Sequence, residues 1–545
     1  MLSNEYLFTN IGIDSFGFHA PRFYVDLSEL ADLRKVDPNK YRKGLLCKEM
    51  RLPEIGEDII SIGLKAAHYA LLKGKISPKQ IDAIFVGTET MTYAVKSVSN
   101  IFAQLLGISQ NSITQDIYNA CAGGTLALLN AIALVEKEII KKALVISCDI
   151  SSYDIGSPSE PTQGSGAIAF VISKNPRVAV FGKSFGKVSA NVNDFWRPAN
   201  QKNAQVFGQY SLDTYMNFQI KAYDDLISQI GDFHADYYTF HAPFAKLPLK
   251  IMQQIILKRW SRHINYLPKL RKKKDGTSLL RKLDNFLHDV TVLPEYIYLK
   301  LKERGYSSER LEDMSHSFIS NIKGKVLPQL RVPSNFGNMY NASLWAQIIY
   351  ILENYGRVND TLYFGSYGSG ATCISGLLKV RPRFETVVKK GPKVSDYIDI
   401  NKERRTIKEY ELVKQGLLKP HFNLGHIMEH KKNHGRGFVL HFCDKGCLIP
   451  DIEGINRCPK GHTGFHTRFF PLYAVLDSNP IEEYHSSDLS YLADGLVRIA
   501  PNLHKGANLE YEIRRADIEG KDESLCEPVG LIDWAPVYYP TKIIY

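Results

Sequence analysis

The chain has 545 residues, of which 44% are hydrophobic and 23% are charged, and its formal net charge is +11. This length predicts more than one domain, and the composition is typical of a soluble globular protein. Eight cysteines in so long a chain exclude a disulfide framework as its main support. The positive charge favours acidic partners such as phosphorylated cofactors or an acidic carrier protein, with a solvated basic face as the simpler alternative.

The first residues, MLSNEYLFTNIGIDSFGF, do not have the basic start and apolar core of a secretory signal. The longest apolar run follows Cys121 and includes Asn130, which predicts a buried helix rather than a membrane span. The sequence has no compact nucleic-acid-binding signature. We therefore expect a cytoplasmic protein with free thiols, no membrane span and no nucleic-acid partner.

The chain contains a faint internal repeat. One unit runs from NACAGGTLALLNAIALV at Asn119 to QGSGAIAFVIS, and the other from NMYNASLWAQIIYILENY at Asn338 to GSYGSGATCISGLL. Matching the two asparagines makes the first unit longer by about 15 residues, which fall in the loop-like SSYDIGSPSEPTQ. Continuous apolar strands such as KALVIS between helices predict a duplicated α/β domain. Chance similarity of two helix–strand units is the alternative.

Three side chains stand at the ends of predicted core elements. Cys121 opens the apolar helix, whose N-terminus lowers the pKa of a thiol, and Gly123 and Gly124 allow close approach of a substrate. Glu89 follows the apolar IFVG, and His241 follows YYTF. The set predicts a nucleophile, a base and an acid. The alternatives are a core thiol, a solvated strand end and a structural histidine.

The motifs around these residues resemble those of hydroxymethylglutaryl-CoA synthases, condensing enzymes of the thiolase superfamily. The resemblance runs from about Gly12 to Val380 and depends on PRFYVDLSELADLRKVDPNK, GTET, NACAGGT, EPTQGSGAIAFVI, NDFWRP, FHAPFAK, GNMYNASL and GSYGSG, in family order. It implies a duplicated thiolase-type αβαβα sandwich with halves at 1–175 and 176–385. It also implies a homodimer that uses acetyl-CoA and acetoacetyl-CoA and needs no catalytic cofactor.

The resemblance assigns roles to single residues. Cys121 would take an acetyl group from acetyl-CoA, Glu89 would remove a proton from the acetyl methyl, and His241 would polarise or protonate the acceptor ketone. Water would then release 3-hydroxy-3-methylglutaryl-CoA. The implied substrate-binding residues are Asn338 at the second acyl group, Ser369 with Cys121 in the oxyanion hole, Lys246 near the CoA phosphates, and Thr162.

Two features depart from the family pattern. Ala122 stands where family members often carry a bulky residue, which would widen the acyl pocket. A basic insertion at about 262–330 separates Lys246 from Asn338, and it would dock an acyl carrier protein or an anionic surface, or form a solvated helical excursion. The product is therefore 3-hydroxy-3-methylglutaryl-CoA or a close analogue. The alternatives are a β-branching synthase acting on carrier-protein-bound β-ketoacyl chains and a non-catalytic scaffold for a partner thiolase.

The composition changes after the resemblance ends, which predicts a linker at 386–435 and a small domain at 436–545. Cys443, Cys447, Cys458 and His462 form two close pairs, as in a closed tetrahedral zinc site. Four scattered loop residues are the alternative. Short strand-like segments beyond them predict a small OB-like barrel. This order resembles accessory proteins that bridge thiolase and the synthase in archaeal complexes, which implies a tail that shapes the CoA channel or binds a thiolase.

Overall fold

The computed structural model describes residues 7–53, 57–93, 95–198, 203–264 and 324–415, residues 305 and 307, and the backbone of five strands after residue 436. The described strands before the tail are β1 (Phe8–His19), β2 (Phe23–Asp26), β3 (Glu49–Arg51), β4 (Ala83–Gly87), β5 (Ile113–Ile117), β6 (Lys142–Ile150), β7 (Ser165–Lys174), β8 (Ala179–Gly182), β9 (Gly186–Ser189), β10 (Phe195–Trp196), β11 (Gln205–Val206), β12 (Tyr237–Phe240), β13 (Thr361–Gly368), β14 (Thr372–Val380) and β15 (Glu403–Arg404).

The described helices are α1 (Leu27–Leu33), α2 (Ile59–Gly74), α3 (Val98–Leu105), α4 (Gly123–Glu136), α5 (Gly208–Ile230), α6 (Leu247–Ile264), α7 (Arg331–Phe336), α8 (Ser343–Asn354), α9 (Glu385–Val388), α10 (Val394–Asp399) and α11 (Ile407–Lys414). A π-helical turn spans Lys40–Leu45, and 3-10 turns span Pro78–Gln80, Glu160–Thr162, Pro328–Leu330 and Tyr340–Ala342. Within this described part, no helix is long and apolar enough to cross a membrane.

The main sheet repeats one arrangement of strands twice. Its order is β12-β13-β14-β8-β1-β7-β6-β4-β5, and β9 pairs with β14. In the first half β4 is parallel to β6, and β6, β7 and β1 follow in antiparallel pairs. In the second half β12 is parallel to β13, and β13, β14 and β8 follow in antiparallel pairs. The halves join where β1 pairs with β8.

The helices complete five layers. α2 packs on β1, β6 and β7 of the first half, and α5 packs on β9, β13 and β14 of the second. Between the halves, α4 and α8 share one buried apolar cluster with strands of both. Strands covered on both faces read as continuous apolar runs, as β6 and β7 do. The predicted duplicated αβαβα sandwich is confirmed.

The internal repeat is confirmed, with its alignment corrected by one residue. α4 begins at Gly123 and α8 at Ser343. Three residues before each start, Ala120 and Tyr340 have φ values of 41° and 42°. The structure therefore aligns Cys121 with Asn341. This alignment is shifted by one residue from the sequence alignment, which paired Asn119 with Asn338. The extra length of the first unit lies between β6 and β7, as predicted.

Residues 386–414 differ from the predicted linker because they pack on the α/β body. β15 pairs with β2, and Tyr397 and Tyr410 are 5% and 2% exposed. The Tyr397 ring lies edge-on to Phe18 of β1. These buried apolar residues are widely spaced among charged ones, so the average composition of the segment concealed them.

Five strands are described in the tail. β16 (Gly437–Phe442) pairs in antiparallel fashion with β17 (Leu448–Pro450) and β18 (His466–Pro471), and β19 (Pro528–Ile532) pairs with β20 (Ala535–Tyr538). The four predicted zinc ligands lie outside the described residues, as do residues 265–304 and 308–323 of the predicted basic insertion.

Candidate active site

The structure brings Cys121 and Glu89 together at the start of the central helix α4. The Cys121 sulfur lies 3.6 Å from Glu89 Oε2, and each residue is 8% exposed. Glu89 follows β4, and Cys121 precedes α4. A Cβ atom on Gly87 would lie 2.3 Å from the Gly124 backbone, so the small residues at this contact let strand and helix approach closely.

Burial shifts the pKa of both groups of this pair in the same direction. Burial raises the pKa of the Cys121 thiol well above its usual value, and the carboxyl groups of Glu89 and Asp149 raise it further. Burial also raises the pKa of Glu89 well above its usual value, with Asp149 contributing. The sequence argument from the helix N-terminus predicted the opposite direction for Cys121. The resting site thus holds a neutral thiol, whose proton must leave as the sulfur attacks.

A buried carboxylate fixes the loop that carries the base. Asp149, at the end of β6, is fully buried. Its Oδ1 accepts hydrogen bonds from the Thr88 hydroxyl and from the N–H groups of Glu89 and Thr90. Its Oδ2 accepts from the backbone and side-chain nitrogens of Asn341. One carboxylate therefore connects the Glu89 loop of the first half to the start of α8 in the second.

Asn341 also fixes the loop that carries the cysteine. Its Oδ1 accepts from Gly124 N at 2.7 Å, and its Nδ2 donates to the Ala120 carbonyl at 2.9 Å. A positive φ in a residue other than glycine costs about 1–3 kcal/mol and persists only where its surroundings hold it. The contacts of Asn341 hold Ala120 in that conformation, which presents Cys121 at the helix start.

Two tyrosines lie against the nucleophile, and Asn338 interacts with one of them. Tyr153 and Tyr340 form a buried cluster with Cys121, and the Tyr153 hydroxyl interacts with the side chains of Tyr340 and Asn338. Asn338 is held by its backbone: its N–H donates to Thr162 O at 2.9 Å, and its carbonyl accepts from the Ser151 hydroxyl at 2.8 Å. The predicted Thr162 thus acts on Asn338 through its main chain.

The loop after β13 approaches the nucleophile from the second half. A Cβ on Gly368 would lie 2.7 Å from Ala122 N and 2.8 Å from Ala122 Cβ, so the small Ala122 side chain faces this loop. Buried Asp194 accepts from the Tyr367 hydroxyl at 2.6 Å and from Gly370 N at 3.0 Å. These contacts hold Ser369 between two fixed residues.

A cavity of roughly 550 Å³ lies beside these groups. Residues of both halves line it. They include Glu89 and Ser152 of the first half and Tyr340 and Ser369 of the second. Arg197 also lines it and donates from Nη2 to the Glu89 carbonyl at 2.8 Å. The cavity therefore gives a substrate access to the base and to the predicted oxyanion residue at the same time.

His241 follows β12 on the second half and is 2% exposed. Its backbone N–H donates to Gly365 O, and its backbone carbonyl accepts from the Tyr215 hydroxyl at 2.6 Å. Its side-chain Nδ1 is buried without a hydrogen-bond partner among the described residues, and burial lowers its pKa to about 3. The ring is therefore neutral at physiological pH and can offer one N–H as a donor.

Lys246 directly precedes α6. Its side-chain Nζ donates to Lys43 O at 3.0 Å, and its backbone N–H donates to Leu45 O. It thus packs against the turn Lys40–Leu45, where Arg42 and Lys43 are exposed. The structure places three cationic side chains along this turn and the adjoining start of α6.

The sequence analysis missed Asp149, Asn341, Asp194 and Arg197. Asp149 ends the apolar KALVIS strand in SCDI, so a polar residue at a core strand end was the available signal. Asn341 lies within the GNMYNASL motif, in which the predicted role was assigned to Asn338. Asp194 and Arg197 lie in NDFWRP, which served only as a mark of resemblance. Each acts by holding a loop, which spacing alone does not reveal.

The fold and the site together define a class of protein. A cysteine stands at the start of the central helix of a duplicated αβαβα sandwich, with a buried carboxyl group at 3.6 Å. The second half supplies the amide of Asn341, which holds the cysteine loop, and a glycine-rich loop that lines the cavity. This is the arrangement of a thiolase-type condensing enzyme, an acyltransferase that forms carbon–carbon bonds through a cysteine thioester.

Comparisons with known proteins narrow the class. Family models described as hydroxymethylglutaryl-coenzyme A synthase N terminal and C terminal match residues 8–177 and 180–411. The hydroxymethylglutaryl-CoA synthase of Enterococcus faecalis is 31% identical over 296 residues, which cover 52% of this chain and 76% of that protein. Hydroxymethylglutaryl-CoA synthase ERG13 of Gibberella zeae is 28% identical over 446 residues, which cover 74% and 92%.

Solved structures agree with the sequence matches. MvaS in complex with 3-hydroxy-3-methylglutaryl coenzyme A has a TM-score of 0.60 and 26% identity, over 74% of this chain and 90% of that chain. The chain therefore belongs to the hydroxymethylglutaryl-CoA synthase family. The match ends at residue 411, so α9, α10 and most of α11 lie within the family region.

Proposed function

We propose that the protein condenses an acetyl group, carried as a thioester on Cys121, with acetoacetyl-CoA to give 3-hydroxy-3-methylglutaryl-CoA. In the first step, a bond forms between the Cys121 sulfur and the acetyl carbon, and the bond from that carbon to the CoA sulfur breaks. The thiol proton passes to Glu89 and from there to the departing CoA thiolate. The 3.6 Å separation of the two side chains supports this transfer.

In the second step, Glu89 takes a proton from the methyl group of the acetyl thioester. A raised carboxyl pKa suits a base that must remove a weakly acidic proton. The methyl carbon then bonds to the ketone carbon of the acceptor, and the ketone oxygen takes up the proton that Glu89 removed, which makes it the hydroxyl group of the product. Water then cleaves the thioester on Cys121, giving the free carboxyl group and returning a proton to the sulfur. Because the His241 ring is neutral, we favour a hydrogen bond from its N–H to the ketone oxygen over transfer of a full proton.

The close Cys121–Glu89 pair carries this proposal, and acetylation tests it. Purified protein mixed with acetyl-CoA should gain one acetyl group on the peptide that contains Cys121, and later addition of acetoacetyl-CoA should remove it. Cys121→Ala should gain none. Acetylation at Cys148 or Cys373, both fully buried, would overturn the assignment, as would an acetyl-enzyme that no acceptor discharges.

We propose CoA as the carrier of the acceptor. Its phosphates carry negative charge, and Arg42, Lys43 and Lys246 lie together at the turn Lys40–Leu45. Discharge of the acetyl-enzyme by acetoacetyl-CoA in preference to an acetoacetyl carrier protein supports this choice. The reverse preference would establish the β-branching alternative.

We also propose that two copies associate through β5. This strand ends the sheet within the described residues. Ile113 at its start is 43% exposed, and Tyr118, directly after its end, is 67% exposed. An unpaired strand edge with apolar side chains is a template for another chain. Light scattering should therefore report a dimer, and Ile113→Lys should weaken it. A wild-type monomer at micromolar concentration would contradict this proposal.

For the tail, we propose a structural zinc site formed by Cys443, Cys447, Cys458 and His462. The first two fall between β16 and β17, and the other two fall between β17 and β18. The first segment connects the neighbouring strands β16 and β17, and the second connects β17 to β18 on the other side of β16. Four protein ligands would leave no open position for catalysis.

A further inference from the structure

A hydrogen-bonded network links the C-terminal helix α11 to the extra loop 151–163 of the first repeat. The Tyr410 hydroxyl donates to Glu160 at 3.0 Å and accepts from Gln163 Nε2 at 2.8 Å. Lys414 Nζ donates to Gln163 Oε1 at 2.5 Å and also to the Ser152 hydroxyl. The last turn of α11 is therefore held to both ends of this loop.

The same loop forms the acceptor side of the site. Gln163 Oε1 also accepts from the backbone N–H of Tyr153, which packs beside Cys121. Thr162 and Ser151 bind the backbone of Asn338. Every contact of Lys414 named here thus falls on a residue that is adjacent in sequence to a group holding or touching Asn338.

Cys121 and Glu89 are positioned by other contacts. Asp149 holds the Glu89 loop, and Asn341 holds the turn before Cys121. Neither Asp149 nor Asn341 is hydrogen-bonded to α11 in the bonds described above. Removing Lys414 should therefore disturb the acceptor side of the cavity and leave the acetylation pair in place.

We propose that Lys414 is a positioning residue that sets the geometry of the acceptor pocket through Ser152 and Gln163. This proposal rests on the proposed condensation reaction, since Asn338 is assigned there to the second acyl group. Lys414 acts at a distance from the reacting atoms. Its ammonium group organises the loop that orients Asn338 and Tyr153.

The decisive test compares Lys414→Met with Lys408→Met in the full-length protein. Lys408 is exposed on the same helix. Its replacement therefore causes the same loss of charge and the same change in helix propensity. Lys414→Met should raise the KM for acetoacetyl-CoA by about 10-fold, equivalent to about 1.4 kcal/mol, which is close to the lower end of the usual worth of a hydrogen bond to a charged group. Acetylation of Cys121 by acetyl-CoA should stay within about twofold of wild type.

Lys414→Arg provides the rescue, because a guanidinium can still donate to both oxygens. It should recover much of the affinity for the acceptor. If Lys414→Met does not fold, Tyr410→Phe tests the same loop by releasing Gln163 Nε2, and the same split between acceptor KM and acetylation is expected. A parallel loss of acetylation and condensation, or an acceptor KM equal to that of Lys408→Met, would overturn the proposal.

The two proposals fail in different ways. Wild-type protein that does not acetylate Cys121 contradicts the proposed function before any Lys414 variant is measured. Normal wild-type condensation with no change in Lys414→Met contradicts only the positioning role.

Discussion

Replacing Glu89 by glutamine tests how the carboxyl group controls the nucleophile. In the wild type, a Cys121 thiolate must form 3.6 Å from this group. Two unit charges about 4 Å apart interact by about 4 kcal/mol at an effective dielectric constant of about 20, which is about a 1000-fold change in an equilibrium constant. Removing this repulsion should lower the pKa of Cys121 in Glu89→Gln. Because burial remains, that pKa should stay above that of an exposed thiol.

The pH dependence of alkylation measures this shift. The rate at which iodoacetamide modifies Cys121, followed on its own peptide by mass spectrometry, should rise at lower pH in Glu89→Gln than in wild type. At a fixed neutral pH the gain in rate is up to about 1000-fold, since about 1.4 kcal/mol is a tenfold change in thiolate fraction. Condensation should nevertheless be lost, because the base is absent.

The controls separate charge from access. Cys121→Ala gives the background, and Cys47, Cys148 and Cys373 are fully buried. Glu136→Gln removes an exposed carboxyl group from α4 and should leave the profile unchanged. A Glu89→Gln profile that coincides with wild type, or moves to higher pH, would refute the coupling of these two groups.

Further predictions concern the surrounding groups. Since burial holds the pKa of His241 at about 3, the pH profile of wild-type kcat/KM should show no limb near the ordinary histidine value of about 6.5, and His241→Ala should raise the acceptor KM. Asp149→Asn would turn an amide towards two donors of Asn341, so urea denaturation should show a loss of about 3 kcal/mol. Gly368→Ala would place a Cβ 2.7 Å from a backbone nitrogen, and should cost about 1–3 kcal/mol in the same assay. Elemental analysis should find about one zinc per chain, and Cys443→Ser should lose it while Cys121 is still acetylated.

Much of the fold could be predicted because it depends on local patterns in the sequence. The apolar runs of β6 and β7 and the long helix after Cys121 give a buried sheet and a central helix. The repeat gives the duplication. The resemblance to the family predicted the αβαβα arrangement. It also predicted that Glu89 and Cys121, 32 positions apart in the chain, act in one site. Periodicity alone does not supply that pairing.

What the sequence did not reveal depends on long-range contacts. Asp149 bonds to Asn341 across 192 positions, and Lys414 reaches Ser152 across 262. The pKa of Cys121 depends on burial and on the carboxyl groups of Glu89, Asp149 and Asp194, and a helix N-terminus predicts none of these effects. Residues 386–414 read as a linker because their few core side chains are diluted by charge.

The equivalence of Cys121 and Asn341 shows that one position of the repeat has a different task in each half. Both residues follow a residue of positive φ and precede a central helix. A cysteine at position 341 would lack the amide that bonds to Gly124 N and Ala120 O. Because these bonds hold the cysteine loop of the first half, a change at position 341 would disturb both halves. The two halves are therefore not interchangeable at this position.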